Sequence, residues 1–392
     1  MVIAFDTYML AKCYRRVGIY EYAKNLFHGF QELARKDDSV TIRYFVAPGY
    51  SEEFLLLPPA QGFEPVQADL MRHGSIWRMG LVNYAAARAG ADLIFCPAPK
   101  ILALGGPPAA VTIHDVMASK LPRQMFGTRT ARGLRAETWV AAKLCRQILT
   151  DSEHSKKDLV ELYQLPPEKV SVVYLGYNSR VFNASPPDPA AQQALLARFE
   201  ISPPYLVHHG TVQLRKNLIR LINAYSQLVQ RPSYRGLELV LAGPRGQGSG
   251  RILQAAKAIR HGRVAFTGPL PDEELASLVK GAALAVIPSL YEGFCLPMIE
   301  AMASGVPTVA ADSSCLPEIS GGVLRYFDPL SEEAIAAAIA DVLEDTDLQK
   351  TLIRNGLKRA AEFSWRRCAL ETLAALTGSQ SPARSQKSRA CD

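Results

Sequence analysis

The stretch "LAVIPSLYEGFCLPMIEAMASGVPTVAA", residues 284–311, decides the fold. It opens on the apolar run "LAVIPS" (284–289), a short buried strand bounded by Pro288, and closes on "VPTVAA" (306–311), a second one. Between them Pro297 suits the first position of a helix, where a missing N–H is no loss. Gly305 suits a left-handed stop, and Pro307 prevents the helix from resuming. The pattern is strand, loop, short helix, strand, with the loop at a strand's carboxyl end, where open α/β sheets bind ligands. A helix start offers N–H groups and a positive dipole end to an anion. Glu292 lies before that start and suits hydroxyls; Glu300, one turn in, can reach the same ligand.

Outward from this stretch, strand and helix patterns alternate along the whole chain, the signature of parallel sheets covered by helices. In the first half "VIAFDTYM", "TIRYFVAP", "ADLIFCP", "AAVTIHD", "QILTDS" and "VSVVYLG" read as strands. In the second, "PYLVHHG", "LELVLAG", "VAFTG", "LAVIPS", "PTVAA" and "LRYFDP" do. A shift to Pro and Asp at "NASPPDPAAQQ" (183–193) marks a hinge. The expected organisation is α/β, with two Rossmann-like domains facing a cleft, 1–182 and 183–362. A helix over 363–377 follows, then a disordered tail over 378–392 that lacks apolar periodicity.

The chain has 392 residues, beyond what one core usually serves. With 48% hydrophobic and 21% charged residues it has an ordinary globular composition, and a net charge of +7 favours anionic ligands without demanding nucleic acid. The 7 cysteines form no Cys-x-x-Cys pair and no zinc-spaced cluster, which suits reduced thiols of a cytosolic protein. No apolar run reaches the length of a membrane span.

Three further segments carry chemistry. In "HHGTVQLRKNLIRLINAY" (208–225) a strand ends at Gly210, and Arg215 and Lys216 precede an amphipathic helix. Two cations at a strand's carboxyl end make an anion site; the alternative is a solvated first turn. In "TIHDVMAS" (112–119), His114 and Asp115 emerge from a buried strand, either towards a ligand or as a capped structural pair. In "RRVGIYEYAKNL" (15–26), Gly18 follows the first strand and permits close backbone approach, or simply makes a turn. The glycines of "GPRGQGSG" (243–250) lack dinucleotide-binding spacing, and "DTD" (345–347) reads as a helix cap rather than a metal site.

At "PSLYEGFCLPMIEAMASGVPTVAADSSCLPEI" (288–319) the sequence resembles the E-x7-E signature of glycosyltransferase family 4, retaining enzymes of the GT-B fold. "GTVQLRKN", "TIHD", "TDSEHSKKDL" (150–159) and "FTGPLPDEELASL" (266–278) match further segments in order. The resemblance implies that Glu300 holds the ribose of a nucleotide-sugar donor and that Glu292 sits at the donor sugar. Amides of Gly293, Phe294 and Cys295, with Leu296 beside them, would reach sugar hydroxyls. Arg215 and Lys216 would neutralise the diphosphate, His114 would contact the sugar near the reacting carbon, and Gly18 would lie under the phosphates. Cys295 departs from the family's usual Gly. Thr211 stands where many members carry Arg, which throws the charge burden onto Arg215 and Lys216. "FSWRRCALETLAAL" (363–376) resembles the helix that crosses back to the first domain.

The expected activity is retaining transfer of a hexose to a glycan or lipid-linked acceptor. Mannose from GDP-mannose is the expected donor, since "GTVQLRKN" with "TIHD" resembles bacterial mannosyltransferases of polysaccharide assembly. Neither a metal nor another cofactor is expected, the nucleotide-sugar being a substrate. A UDP-glucose donor, a GT-B-like epimerase and a non-catalytic sugar-nucleotide sensor are the alternatives. The leaving diphosphate accepting the acceptor's proton on the attacked face, and Glu292 as covalent nucleophile, both give retention. Residues 117–147 carry Lys120, Arg123, Arg129, Arg132, Arg135, Lys143 and Arg146 against one acid, Glu137. That segment is expected either to dock a cytoplasmic enzyme on the inner face of an anionic membrane or on a lipid-linked diphosphate, or to be a solvated flank.

Overall fold

The computed structural model describes residues 1–10, 18–35, 39–49, 55, 61–99, 105–121, 125 and 128–379. The chain divides into two compact units. The first holds Met1–Ser119, Arg129–Gly176 and the chain from Trp365, and the second holds Lys120–Thr128 and Tyr177–Ser364. Residues 177–182 thus group with the second unit. The Pro- and Asp-rich stretch belongs to the second unit, where Asp188 caps the helix Pro189–Arg198 by accepting from the Ala191 amide at 2.8 Å. Its Pro and Asp serve a helix start.

The first unit contains a parallel sheet of β1 (Val2–Phe5), β2 (Thr41–Val46), β3 (Phe63–Gln67), β4 (Leu93–Cys96), β5 (Ala109–Thr112), β6 (Gln147–Thr150) and β7 (Val170–Val172), in the order β3-β2-β1-β4-β5-β6-β7. Strand β3, "FEPVQ", is absent from the sequence expectation because Glu64 and Pro65 break the apolar run. It lies at the edge of the sheet, where proline is tolerated. The helix Trp365–Thr377 packs against the helix Gly18–Ala34 within this unit. The approach is close enough that a Cβ on Gly29 would fall 2.5 Å from the Cβ of Ala369. The expected tail lies outside the described residues from position 380 onward.

The second unit contains β8 (Tyr205–His209), β9 (Glu238–Ala242), β10 (Arg263–Gly268), β11 (Leu284–Ile287), β12 (Thr308–Ala311) and β13 (Arg325–Phe327), all parallel, in the order β10-β9-β8-β11-β12-β13. Strands β8, β9, β11 and β12 are buried at every position, as strands covered on both faces must be. Val207, Val240, Ala285, Ala301 and Val306 share one core cluster. The strand order reverses between β8 and β11, which pair in register with Leu284 opposite Leu206. Their carboxyl ends form a topological switch point, the place where such sheets take ligands.

Candidate active site

Two loops leave that switch point. The loop after β8 runs through Gly210 and Thr211 to the short turn Leu214–Lys216, and the loop after β11 runs through Tyr291–Cys295 into the helix Leu296–Ala303. They are tied together where the Leu290 amide donates to the Arg215 carbonyl at 2.9 Å. The glycine-rich segment after β9 braces the first loop. The Val212 amide donates to the Pro244 carbonyl and the Gly246 amide returns to the Val212 carbonyl, at 2.8 and 2.9 Å. A Cβ on Gly243, which has φ 139°, would collide with the Gly210 carbonyl oxygen at 2.1 Å, so the close approach requires glycine. The "GPRGQGSG" glycines thus support the cation loop.

Glu292 is the centre of the cluster. Its side chain is 6% exposed and lies between two cations. Arg215 donates from Nη1 to Oε2 at 2.6 Å, and the Lys216 Nζ lies 2.6 Å from Oε1. Burial pushes the carboxyl up, but Arg215 and Lys216 outweigh it and hold Glu292 down to about 2. The Arg215 guanidinium also donates to the Tyr291 carbonyl at 3.1 Å, and the Glu292 amide donates to the Ser314 hydroxyl at 3.0 Å. Lys216 is buried, so its ammonium has exchanged water for this pairing. The cations expected at a diphosphate and the glutamate expected at the sugar thus form one ion-paired group.

The helix start confirms part of the local grammar and changes a detail. Leu296 is the first helical residue and Pro297 the second, while Gly305 has φ 71° as a left-handed stop. Cys295, at the cap position, has φ 76°, a conformation that L-residues rarely adopt. This explains why glycine is usual at this place. Among the described residues no side chain caps the helix start, whose positive end suits an anion. Gly293 and Phe294 are buried, Phe294 packing edge-on against Phe363 with ring centroids 5.4 Å apart. Glu300 accepts from the Nε2 of His209 at 3.0 Å, a partner that sequence reasoning passed over although "HHG" was in view.

In the first unit, His114 is held on both ring nitrogens, Nδ1 by the Asp151 carboxylate at 2.7 Å and Nε2 facing the Pro97 carbonyl at 3.1 Å. Both partners only accept, so the arrangement calls for a proton on each nitrogen. Burial alone lowers the imidazole, but Asp151 overrides it and the histidine is raised above its ordinary value. The Tyr22 ring stands edge-on to the imidazole at 4.7 Å. Asp151 lies within the quoted "TDSEHSKKDL", directly after β6; a polar residue at a strand's carboxyl end was the signal available. Gly18 opens the helix Gly18–Ala34, and among the described residues a Cβ there would meet nothing within 4 Å.

Asp345 caps the helix Thr346–Ala360 through the Asp347 and Leu348 amides, as "DTD" was read. Among the described residues, no group of three or more His, Cys, Asp or Glu side chains is placed to hold a metal, and no helix is long and apolar enough to cross a membrane.

The sequence matches the family description "Glycosyl transferases group 1" over residues 197–359 and "Glycosyltransferase Family 4" over residues 30–181. It is 31% identical to the O-antigen chain mannosyltransferase B of Escherichia coli, across 68% of this chain and 69% of that protein. It is 28% identical to a D-inositol 3-phosphate glycosyltransferase of Thermobispora bispora, across 86% of this chain and 75% of the relative. In fold it is similar to HepE of Anabaena crystallised with UDP, with a TM-score of 0.68, 19% identity, and coverage of 96% of this chain and 99% of that one.

Proposed function

The chain belongs to the group 1 glycosyltransferases of family 4, and from that premise we propose that it is a retaining hexosyltransferase. Its donor is GDP-mannose and its acceptor a glycan or lipid-linked glycan. The observation that carries the reading is the buried Arg215–Glu292–Lys216 cluster beside an uncapped helix start, at the switch point of the second sheet. Two cations and a helix dipole are what a leaving diphosphate needs, and a carboxylate one turn further suits ribose hydroxyls. The choice of mannose is supported by the relative named as an O-antigen mannosyltransferase. A second reading, an inositol phosphate in place of a glycan as the acceptor, is favoured by the likeness to the D-inositol 3-phosphate glycosyltransferase.

In this mechanism the acceptor oxygen bonds to the anomeric carbon on the face from which the diphosphate departs. The acceptor's proton passes to the departing phosphate oxygen as the sugar–oxygen bond breaks. Arg215 and Lys216 neutralise the charge that develops there, without a metal ion. Glu292, held at about 2 by two cations, is a weak nucleophile, which favours this route over a covalent glycosyl-enzyme. The first unit takes the acceptor. The enzyme works in the cytoplasm, on the inner face of the membrane.

One experiment tests the assignment. GDP, UDP and ADP with their sugars are compared by thermal shift, since binding to the folded state raises apparent stability. Mannose release from GDP-mannose is then followed with and without EDTA. Stabilisation by GDP-mannose and EDTA-resistant turnover support the proposal; stabilisation by UDP-sugars alone overturns the donor, and loss of turnover in EDTA overturns metal independence.

A further inference from the structure

Strand β8 reads "YLVHH" and is buried throughout, yet it ends on two histidines. His208 is accounted for locally. Its Nδ1 meets the Val286 carbonyl at 2.9 Å, its Nε2 is buried without a partner among the described residues, and burial with the nearby Lys216 charge takes it down to about 3, so it is neutral and its one partner is main chain. His209 shares the orphaned nitrogen but differs in its partner, a carboxylate. It is 1% exposed, its Nε2 lies 3.0 Å from Oε2 of Glu300, and its Nδ1 is buried with no hydrogen-bond partner among the described residues. A carboxylate oxygen only accepts, so Nε2 carries the proton and donates it.

An imidazole with one nitrogen orphaned in a core is a poor choice for packing alone. A leucine or valine would fill the place without leaving a buried acceptor unsatisfied. What the histidine supplies and an aliphatic side chain cannot is the hydrogen bond to Glu300. The geometry around it is fixed. The Phe182 ring lies nearly parallel to the imidazole at 6.4 Å, and the next residue, Gly210, has φ 123°. A Cβ on Gly210 would sit 3.6 Å from Cγ of Pro297, so the strand end lies directly against the first turn of the helix that carries Glu300. The imidazole side is 2% exposed and the glutamate side chain 17%, so His209 grips the carboxylate from the interior and solvent reaches it from the other side.

We propose that His209 is a positioning residue for donor recognition: it donates Nε2–H to one oxygen of Glu300 and thereby orients the carboxylate towards the ribose hydroxyls of the nucleotide. The inference rests on the donor reading above. A glutamate on a helix has several rotamers, and a ligand diol selects only one of them. The strand histidine selects that rotamer before the ligand arrives, so the orientation is not bought from binding energy.

The test uses calorimetry on the full chain with GDP and 2′-deoxy-GDP, and with UDP and 2′-deoxy-UDP in parallel. The wild type should prefer the ribonucleotide by about tenfold, the size of a hydrogen bond to a charged group. His209→Leu should reduce that preference to about twofold while leaving the deoxynucleotide affinity unchanged, and His209→Gln, which restores an N–H donor, should recover it. In a Glu300→Gln background, His209→Leu should have no further effect. If His209→Leu does not fold, His209→Met takes its place, being closer in volume and unbranched. Retention of the full ribose preference in the apolar variant overturns the inference, as does an equal loss for both nucleotides that His209→Gln does not restore. Failure of the wild type to bind either ribonucleotide overturns the donor reading itself, and the inference with it.

Discussion

Glu292 separates a stability role from a catalytic one at the level of a single residue. Its folded value of about 2 lies below the ordinary glutamate value near 4.3. A depressed carboxyl contributes stability that is present above the unfolded value and lost as pH falls towards the folded one. Glu292→Gln should therefore flatten the fall in Tm between about pH 4.5 and 2, which a melting series across that range reads directly. The same change leaves Arg215 and Lys216 without their counter-ion. Affinity for GDP should then hold or rise, while kcat falls by on the order of 10²-fold or more. Weakened GDP binding with near-normal kcat would show that the glutamate holds the nucleotide instead. At Cys295 the left-handed backbone predicts a different ordering. Cys295→Gly should keep or raise Tm, whereas Cys295→Val, β-branched at φ 76°, should destabilise by roughly 1–3 kcal/mol. Differential scanning calorimetry of the two variants checks it, and a Tm for the valine variant matching wild type would refute the strain.

The helix Thr128–Leu144 carries the basic run at the level of the element, and its face is more selective than the charge count suggested. Arg135 donates from Nε to the Ala118 carbonyl at 2.6 Å, so it is spent on the fold. The Arg123 position and the Arg129 side chain lie outside the described residues. Arg132 and Trp139 are exposed at a spacing of seven, which places them on one face, and Trp139 is 54% exposed, whereas Lys143 gives its ammonium to the Tyr163 carbonyl at 2.7 Å. An exposed tryptophan beside a cation fits the interfacial region of an anionic bilayer. Arg132→Gln with Trp139→Ala should lower binding to phosphatidylglycerol-rich vesicles by about tenfold or more at low salt, and GDP affinity should not change. Co-sedimentation equal to wild type would leave a solvated helix face. The helix Leu296–Ala303 shows the opposite case: Pro297 and Gly305 announce its ends locally, and the structure moves the start by one residue only.

For the whole molecule, the chain's path makes the first unit depend on its last helix. Cys368, Ala369 and Thr372 are fully buried, and Trp365 lies 6.4 Å from the Tyr22 ring. A chain ending at Ser364 should expose that face of the helix Gly18–Ala34, bind a hydrophobic dye and lose transfer, since a helix pairing of this kind is core. Dye binding and transfer equal to the full chain would show the pairing to be dispensable. The central strands of the second sheet were legible because they are short, largely apolar runs buried on both faces, as "LAVI" and "TVAA" are. Strand β3 was not, because an edge strand tolerates the Glu64 and Pro65 that a central strand would reject. The sequence alone determined the βα alternation, the helix ends, the family signature and which side chains were candidates, since all of these are written in short-range spacing. Only the tertiary structure decided that Glu292 lies between Arg215 and Lys216, that Asp151 holds His114 and that His209 holds Glu300. Each of these pairs joins residues far apart in the chain at the carboxyl ends of strands. Charge partnership depends on distance and burial, and those are fixed only when separate loops are brought to one end of a sheet.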